Sequence, residues 1–185
     1  MKTYEEILSL FKAANEKFLA EERLLFDNNV SERTLCGALM LKIHDFIKNN
    51  NSYKGYFVDV EYNRNKGNLK TIYKTYSGPK NKIIQINCDL ILHSRGKNIK
   101  QDNLLAIEMK KSNRKKQDKK HDRERLEALT KDSFDDVWAN DGCALPEHVC
   151  GYVLGVYYEI NNKQQKVLLE YYRKGKLIME DNMSF

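Results

Sequence analysis

The sequence predicts an α/β fold of the α+β kind, a central mixed β-sheet flanked by helices, and three observations predict it. Two early segments carry apolar residues at helical spacing, and the middle of the chain switches to the two-residue period of strands. One charged helical stretch then separates three strands from two more, an order that a single mixed sheet covered by helices satisfies. At 185 residues the chain is expected to form one domain over 1–185, with an N-terminal helical segment at 1–30 and the core at 31–172.

The elements follow in order. Over residues 3–20, Tyr4, Ile7, Leu8, Phe11, Ala14 and Phe18 recur at helical spacing and make an amphipathic helix. A second helix runs from Glu32 to Ile47, with Ser31 as N-cap and Leu35, Leu39, Ile43 and Phe46 as its apolar stripe. Tyr56 to Tyr62 alternates at period two, with aromatic and β-branched residues, and reads as a strand. After a polar stretch from Asn63 to Asn81, Ile83 to His93 and Leu104 to Lys110 are two further strands, joined across Ser94 to Asn98. Lys115 to Lys131 is a charged helix with Leu126 and Leu129 turned inward. Gly151 to Glu159 is apolar on both faces, as a central strand is, and Lys166 to Tyr172 is the last strand. The tail beyond Gly175 carries no clear pattern.

Hydrophobic residues make up 41% of the chain, which excludes a disordered or fibrous protein. The net charge of +6 suits an anionic partner such as a phosphate backbone, though such an excess is common without one. Four cysteines without a dense disulfide spacing point to a reducing compartment. Met1 to Glu6 places acids where a signal peptide has basic and apolar residues, and no apolar run is long enough to span a bilayer. A cytoplasmic protein with no membrane partner is the expectation. Cys143, His148 and Cys150 lack paired spacing and a fourth ligand, so zinc is not favoured.

Two carboxylates stand out because strands bury charge only at a cost. In the strand Leu104 to Lys110, period two puts Glu108 and Lys110 on one face and Leu105, Ile107 and Met109 on the other. In the strand before it, Ile84, Ile86, Cys88, Leu90 and Leu92 share a face and Asp89 lies opposite, among apolar neighbours. A charge in such a setting must be paired or bound to a cation. Mg²⁺ takes oxygen ligands and keeps several waters, so one or two carboxylates with substrate phosphates suffice to hold it. A lysine beside it orients the attacking water and offsets charge on the phosphate.

Asp89 followed nineteen positions later by Glu108-Met109-Lys110 resembles the signature of the PD-(D/E)XK, or restriction-endonuclease-like, superfamily. In that family the Asp lies on one strand of a hairpin and the E-x-K on the next. The stretches Asn87 to Gly96 and Asn103 to Ser112 are similar to those of small bacterial members, with Cys88 standing where the family signature has Pro. The likeness covers roughly residues 31–131. It implies a restriction-endonuclease-like core and a Mg²⁺- or Mn²⁺-dependent endonuclease, with DNA favoured over RNA and roles in phage defence, restriction or repair. It also implies that Asp89, Glu108 and Glu32 hold the metal together with the Met109 carbonyl, and that Lys110 positions the nucleophile. A homodimer or a specificity-giving protein partner would fit a chain with no recognisable recognition domain.

Blander readings stand beside these. Glu32 sits in a first helical turn, where the helix dipole alone favours an acid. Asp59 and Glu61 share a strand face, and Glu61 is either an accessory residue or a solvated edge. Arg33 either binds phosphate or is solvated. The basic residues Lys111, Arg114, Lys115, Lys116 and Lys119 follow the E-x-K strand and are expected to contact nucleic acid, against the alternative of a solvated helix face. His44 reads as a surface histidine, and His93 as bordering the site. The competing class of function is a nucleic-acid-binding or assembly module with weak or no hydrolysis.

Overall fold

A computed structural model of the chain describes residues 1–62, 88–132 and 150–185 in full, together with strand backbone at 64–65, 68–69, 71–74, 82–85, 133–134 and 138–139. Cys143 and His148, weighed above against zinc, lie outside the described residues, as do Ile86 and Asn87.

The fold is a mixed α+β arrangement. Helices α1 (Tyr4–Glu21), α2 (Arg23–Asp27) and α3 (Glu32–Lys48) come first. The six strands of the main sheet are β1 (Phe57–Val60), β2 (Leu90–His93), β3 (Asn103–Lys111), β4 (Leu154–Asn161), β5 (Lys166–Arg173) and β6 (Lys176–Ser184). Helix α4 (Lys116–Thr130) lies between β3 and β4. Spatial order equals chain order, β1-β2-β3-β4-β5-β6. Only β3 and β4 are parallel, because α4 carries the chain back across the sheet before β4 begins. Short antiparallel pairs, Arg64–Asn65 with Asn68–Leu69 and Thr71–Lys74 with Lys82–Gln85, occupy the segment between β1 and β2.

Each helix start has a local cause. Thr3 caps α1 through a capping box with Glu6, and the Ser31 hydroxyl accepts from the Thr34 amide to begin α3. Leu35, Leu39, Ile43 and Ile47 of α3 are buried with Ile7, Phe11 and Phe18 of α1 against Leu105, Ile107, Met109, Val156 and Tyr158 on one sheet face. Each such side chain contributes about 1.5–3 kcal/mol on burial. The other face carries Ile91, Ala106, Tyr157 and Tyr172 beneath Leu126 and Leu129 of α4. Gly155 allows that helix to come close, since a Cβ there would lie 2.9 Å from the Thr130 Cγ2.

Four expectations are corrected. The strand expected from Ile83 to His93 is divided: Lys82–Gln85 pairs elsewhere, and β2 begins at Leu90. Cys88 therefore escapes the strand parity and packs on the α4 side with Ile91, not with Leu90 and Leu92. The tail is not featureless, since β6 pairs with β5 well past residue 172. Its side chains are mostly exposed, so no apolar alternation marked it. Finally, β1 ends at Val60, and Glu61 takes a left-handed backbone at φ 51°, so Asp59 and Glu61 do not share a strand face.

Candidate active site

The β2–β3 hairpin is the frame. Its connection is closed by Asp102, whose Oδ1 accepts from the Ser94 hydroxyl and from the Ser94 and Gly96 amides. The register Leu90↔Ile107 puts Asp89 one step further, opposite Glu108. Asp89 Oδ2 accepts a 2.8 Å hydrogen bond from the Met109 amide, which fixes the carboxylate across the two strands. Lys110 Nζ lies 3.6 Å from the same oxygen and 3.4 Å from the Met109 carbonyl.

Glu108 and Lys110 share the α4 face as parity predicts, but Glu108 is not open to solvent. Its side chain is fully buried and forked by Arg125, with Nε at 2.7 Å and the second nitrogen at 3.3 Å. Burial outweighs the guanidinium and pushes the Glu108 carboxyl up to about 8. Asp122 completes this layer. It is buried, bonded to Arg125, and its Oδ2 lies 3.2 Å from Lys110 Nζ without a directed hydrogen bond. Burial raises the Asp122 carboxyl despite Lys110 and Arg125. For Lys110 burial works against the charge, but Asp89, Asp122 and Glu108 prevail and raise it. Asp122 and Arg125 were missed as site residues in the sequence. The signal existed, because 122 lies one turn before Leu126 and two before Leu129, on the stripe expected to face inward.

Glu32 comes from the other side of the sheet. Ser31 places it in the first turn of α3, and its Oε1 accepts from the Lys111 amide at 2.9 Å and from Arg114 Nε at 2.8 Å. Burial opposes its ionisation, but Arg114 and the Lys111 amide prevail and hold the carboxyl below the usual range. Glu32, Glu61 and Asp89 line one cleft of about 320 Å³ with Arg33, Arg114 and Cys36. Glu61 is forked by Arg33 at 2.9 Å on both oxygens, and its amide bonds the Asp89 carbonyl. A larger cleft of about 910 Å³, beside Lys2, Tyr4, Gly151 and Arg173, shares none of these residues.

The remaining basic residues divide. Lys111 Nζ bonds Asn29, and Lys119 bonds Glu159 and the Ser112 carbonyl, while Lys115 and Lys116 are exposed. Arg123 turns to Glu170 over the Tyr157 ring. His93 does not border the cleft: it is buried, with Nε2 3.0 Å from Asp59, which Arg95 also forks. His44 is half exposed on its helix, as expected.

The donor types suit a hard divalent cation, but their positions do not. Among the described residues no three His, Cys, Asp or Glu side chains converge as a metal site. Arg125 holds Glu108, Arg114 holds Glu32, and the Lys110 ammonium stands between Asp89 and the Met109 carbonyl. In this arrangement the chain's own cations occupy the places that a metal would need.

Comparison with protein-family models, with curated proteins and with solved structures gives no match for the chain. Among the described residues no helix is long and apolar enough to cross a membrane.

Proposed function

We propose that the chain is a Mg²⁺- or Mn²⁺-dependent endonuclease with a restriction-endonuclease-like core, acting on DNA in preference to RNA. The observation that carries this reading is the hairpin geometry: Asp89 bonds the Met109 amide between Glu108 and Lys110 on the neighbouring antiparallel strand. Glu32 supports it, since the first turn of a core helix brings an acid to the backbone at the end of the same strand. Lys110, flanked by Asp89 and Asp122, is a held cation at a position where charge on a phosphate would develop. The cation would supply Lewis acidity and a more acidic bound water. For Glu108 to act as an oxygen ligand, its carboxyl must first leave the Arg125 fork.

The test is supercoiled plasmid incubated in Mg²⁺ or Mn²⁺ with the wild type, Lys110→Ala and Glu108→Ala at equal concentration. Nicking or linearisation by the wild type, abolished in both variants and by EDTA, supports the reading, and identical behaviour of all three overturns it. DNA and RNA competing in one assay separate the substrates.

The second reading, a nucleic-acid-binding or assembly module without hydrolysis, is favoured by one observation: Glu108 is closed off under Arg125. Salt-sensitive DNA affinity indifferent to EDTA, with no cleavage in Mn²⁺, would select it.

A further inference from the structure

The larger cleft, about 910 Å³, has a volume within the range of about 300–1,000 Å³ that holds a small ligand. It opens at the starts of β3 and β4, beside Gln101 and Tyr152. Glu108 stands five residues beyond the first residue of β3, roughly 16 Å along the strand, so the two sites are separate. The rim of the cleft is tied down. Gln101 is buried, and its side chain bonds the amide and the carbonyl of Lys2 at 2.6 and 2.8 Å. The β5–β6 connection is a two-residue turn of Lys174 and Gly175, with φ 51° and 75°, a hairpin geometry that suits the twist of the strands. The Gly175 amide donates to the Thr130 hydroxyl at 3.1 Å, which fixes this turn to the end of α4 and sets Arg173 and Lys174 at the cleft.

Three cations in the lining are only loosely engaged. Arg173 lays its guanidinium over the Tyr4 ring, 4.6 Å from the centroid, and remains 43% exposed. Among the described residues its side chain makes no hydrogen bond, only a 3.8 Å approach to Glu5. Lys174 approaches Asp132 at 3.3 Å, and the exposed Lys100 has no ion pair among the described residues. Ion pairs this exposed contribute little, so an anion can displace them. The Lys2 ammonium, by contrast, is turned onto Glu6 and Ser52. A guanidinium backed by an aromatic ring offers its outer face to a second planar ring, and nearby ammonium groups offer donors to phosphate oxygens. A flat ring and phosphate charge in one small molecule are the chemistry of a nucleotide. We propose that this cleft binds a nucleoside phosphate, with its base stacked on Arg173 and its phosphates held by Lys100 and Lys174. The site is independent of the nuclease reading and uses no metal.

The test is isothermal titration calorimetry of the full chain in EDTA, with ATP, GTP, CTP and UTP in turn, the matching nucleosides, and inorganic triphosphate. At least one nucleotide is expected to bind about tenfold more tightly than its nucleoside and than inorganic triphosphate. Arg173→Ala is expected to weaken that nucleotide about tenfold, and Lys100→Gln about threefold. Lys163→Gln, which removes one exposed charge from the β4–β5 turn, is the control for net charge. Arg173→Lys keeps the charge and loses the plane, so it should bind the nucleotide and inorganic triphosphate alike. Lys100→Gln alters an exposed side chain without an ion pair, so its effect does not report misfolding. If inorganic triphosphate binds the wild type as well as every nucleotide does, the cleft is a cationic patch and the proposal falls. It falls equally if no nucleotide binds, or if Arg173→Ala and Lys100→Gln act no more strongly than Lys163→Gln. Competition by a 5′-phosphorylated oligonucleotide, but not by its unphosphorylated form, assigns the bound nucleotide to a strand end; competition by neither assigns a free nucleotide.

Discussion

Replacing Glu108 by Gln keeps the shape of the buried side chain and removes only its ability to ionise. Burial pushes the folded-state carboxyl up to about 8, whereas an unfolded glutamate titrates near ~4.3. Between those values the folded chain binds the proton more tightly than the unfolded chain. The contribution of Glu108 to stability is thus fully present below about pH 4.3 and is lost as pH rises through about 8. The slope inside the window is about 1.4 kcal/mol per pH unit. Integrated from pH 5.5 to pH 8.5, it makes Glu108→Gln gain about 3 kcal/mol relative to the wild type, with most of the change complete by pH 8. Urea denaturation of both proteins at pH 5.5, 7.0 and 8.5 measures this as a difference, so titrations common to both cancel. A difference independent of pH would refute the argument. It would mean that Arg125 keeps Glu108 ionised throughout and outweighs the cost of burial. A difference running the other way, with Glu108→Gln losing ground as pH rises, would refute it more strongly.

Two further outcomes follow from the same geometry. Asp122→Asn removes one of the three acids that sustain the charge of Lys110, so the alkaline limb of the plasmid-cleavage pH profile should move to lower pH while DNA affinity stays within about twofold; an unmoved limb would make Asp122 merely structural. Gly155→Ala drives a methyl against Thr130, Tyr172 and Leu126 and should cost about 1–3 kcal/mol, read as a lower urea midpoint at unchanged slope.

The sequence by itself determined the elements whose faces are unequal. Helix α3 was readable from Ser31 onward because a capping hydroxyl and a buried stripe at helical spacing are both local signals. Strand β3 was readable, including the parity that sets Glu108 and Lys110 apart from Ile107 and Met109, because the two sheet faces bury different layers. The six-stranded sheet extended one strand beyond the expected five, since β6 is an exposed edge and buries too little to leave a pattern.

What tertiary structure decided is which charges meet. Asp89 and Glu108 were legible as acids in the wrong surroundings, yet nothing local says that Arg125 closes over Glu108 or that Lys110 lies between Asp89 and Asp122. Arg125 lies in the charged helical stretch from Lys115 to Lys131, where nothing local sets it apart from the other basic residues. It became a core residue because α4 crosses the sheet to join β3 to parallel β4, and that crossing turns the 122–125–126–129 stripe onto the strand carrying Glu108. Arg33 and Glu61 lie 28 positions apart and come together only because the chain turns left-handed at Glu61, immediately after β1. Local patterns report the burial of a face, which is a property of one segment; the pairing of charges is a property of two, and it is fixed only when the sheet and its crossing helix are assembled.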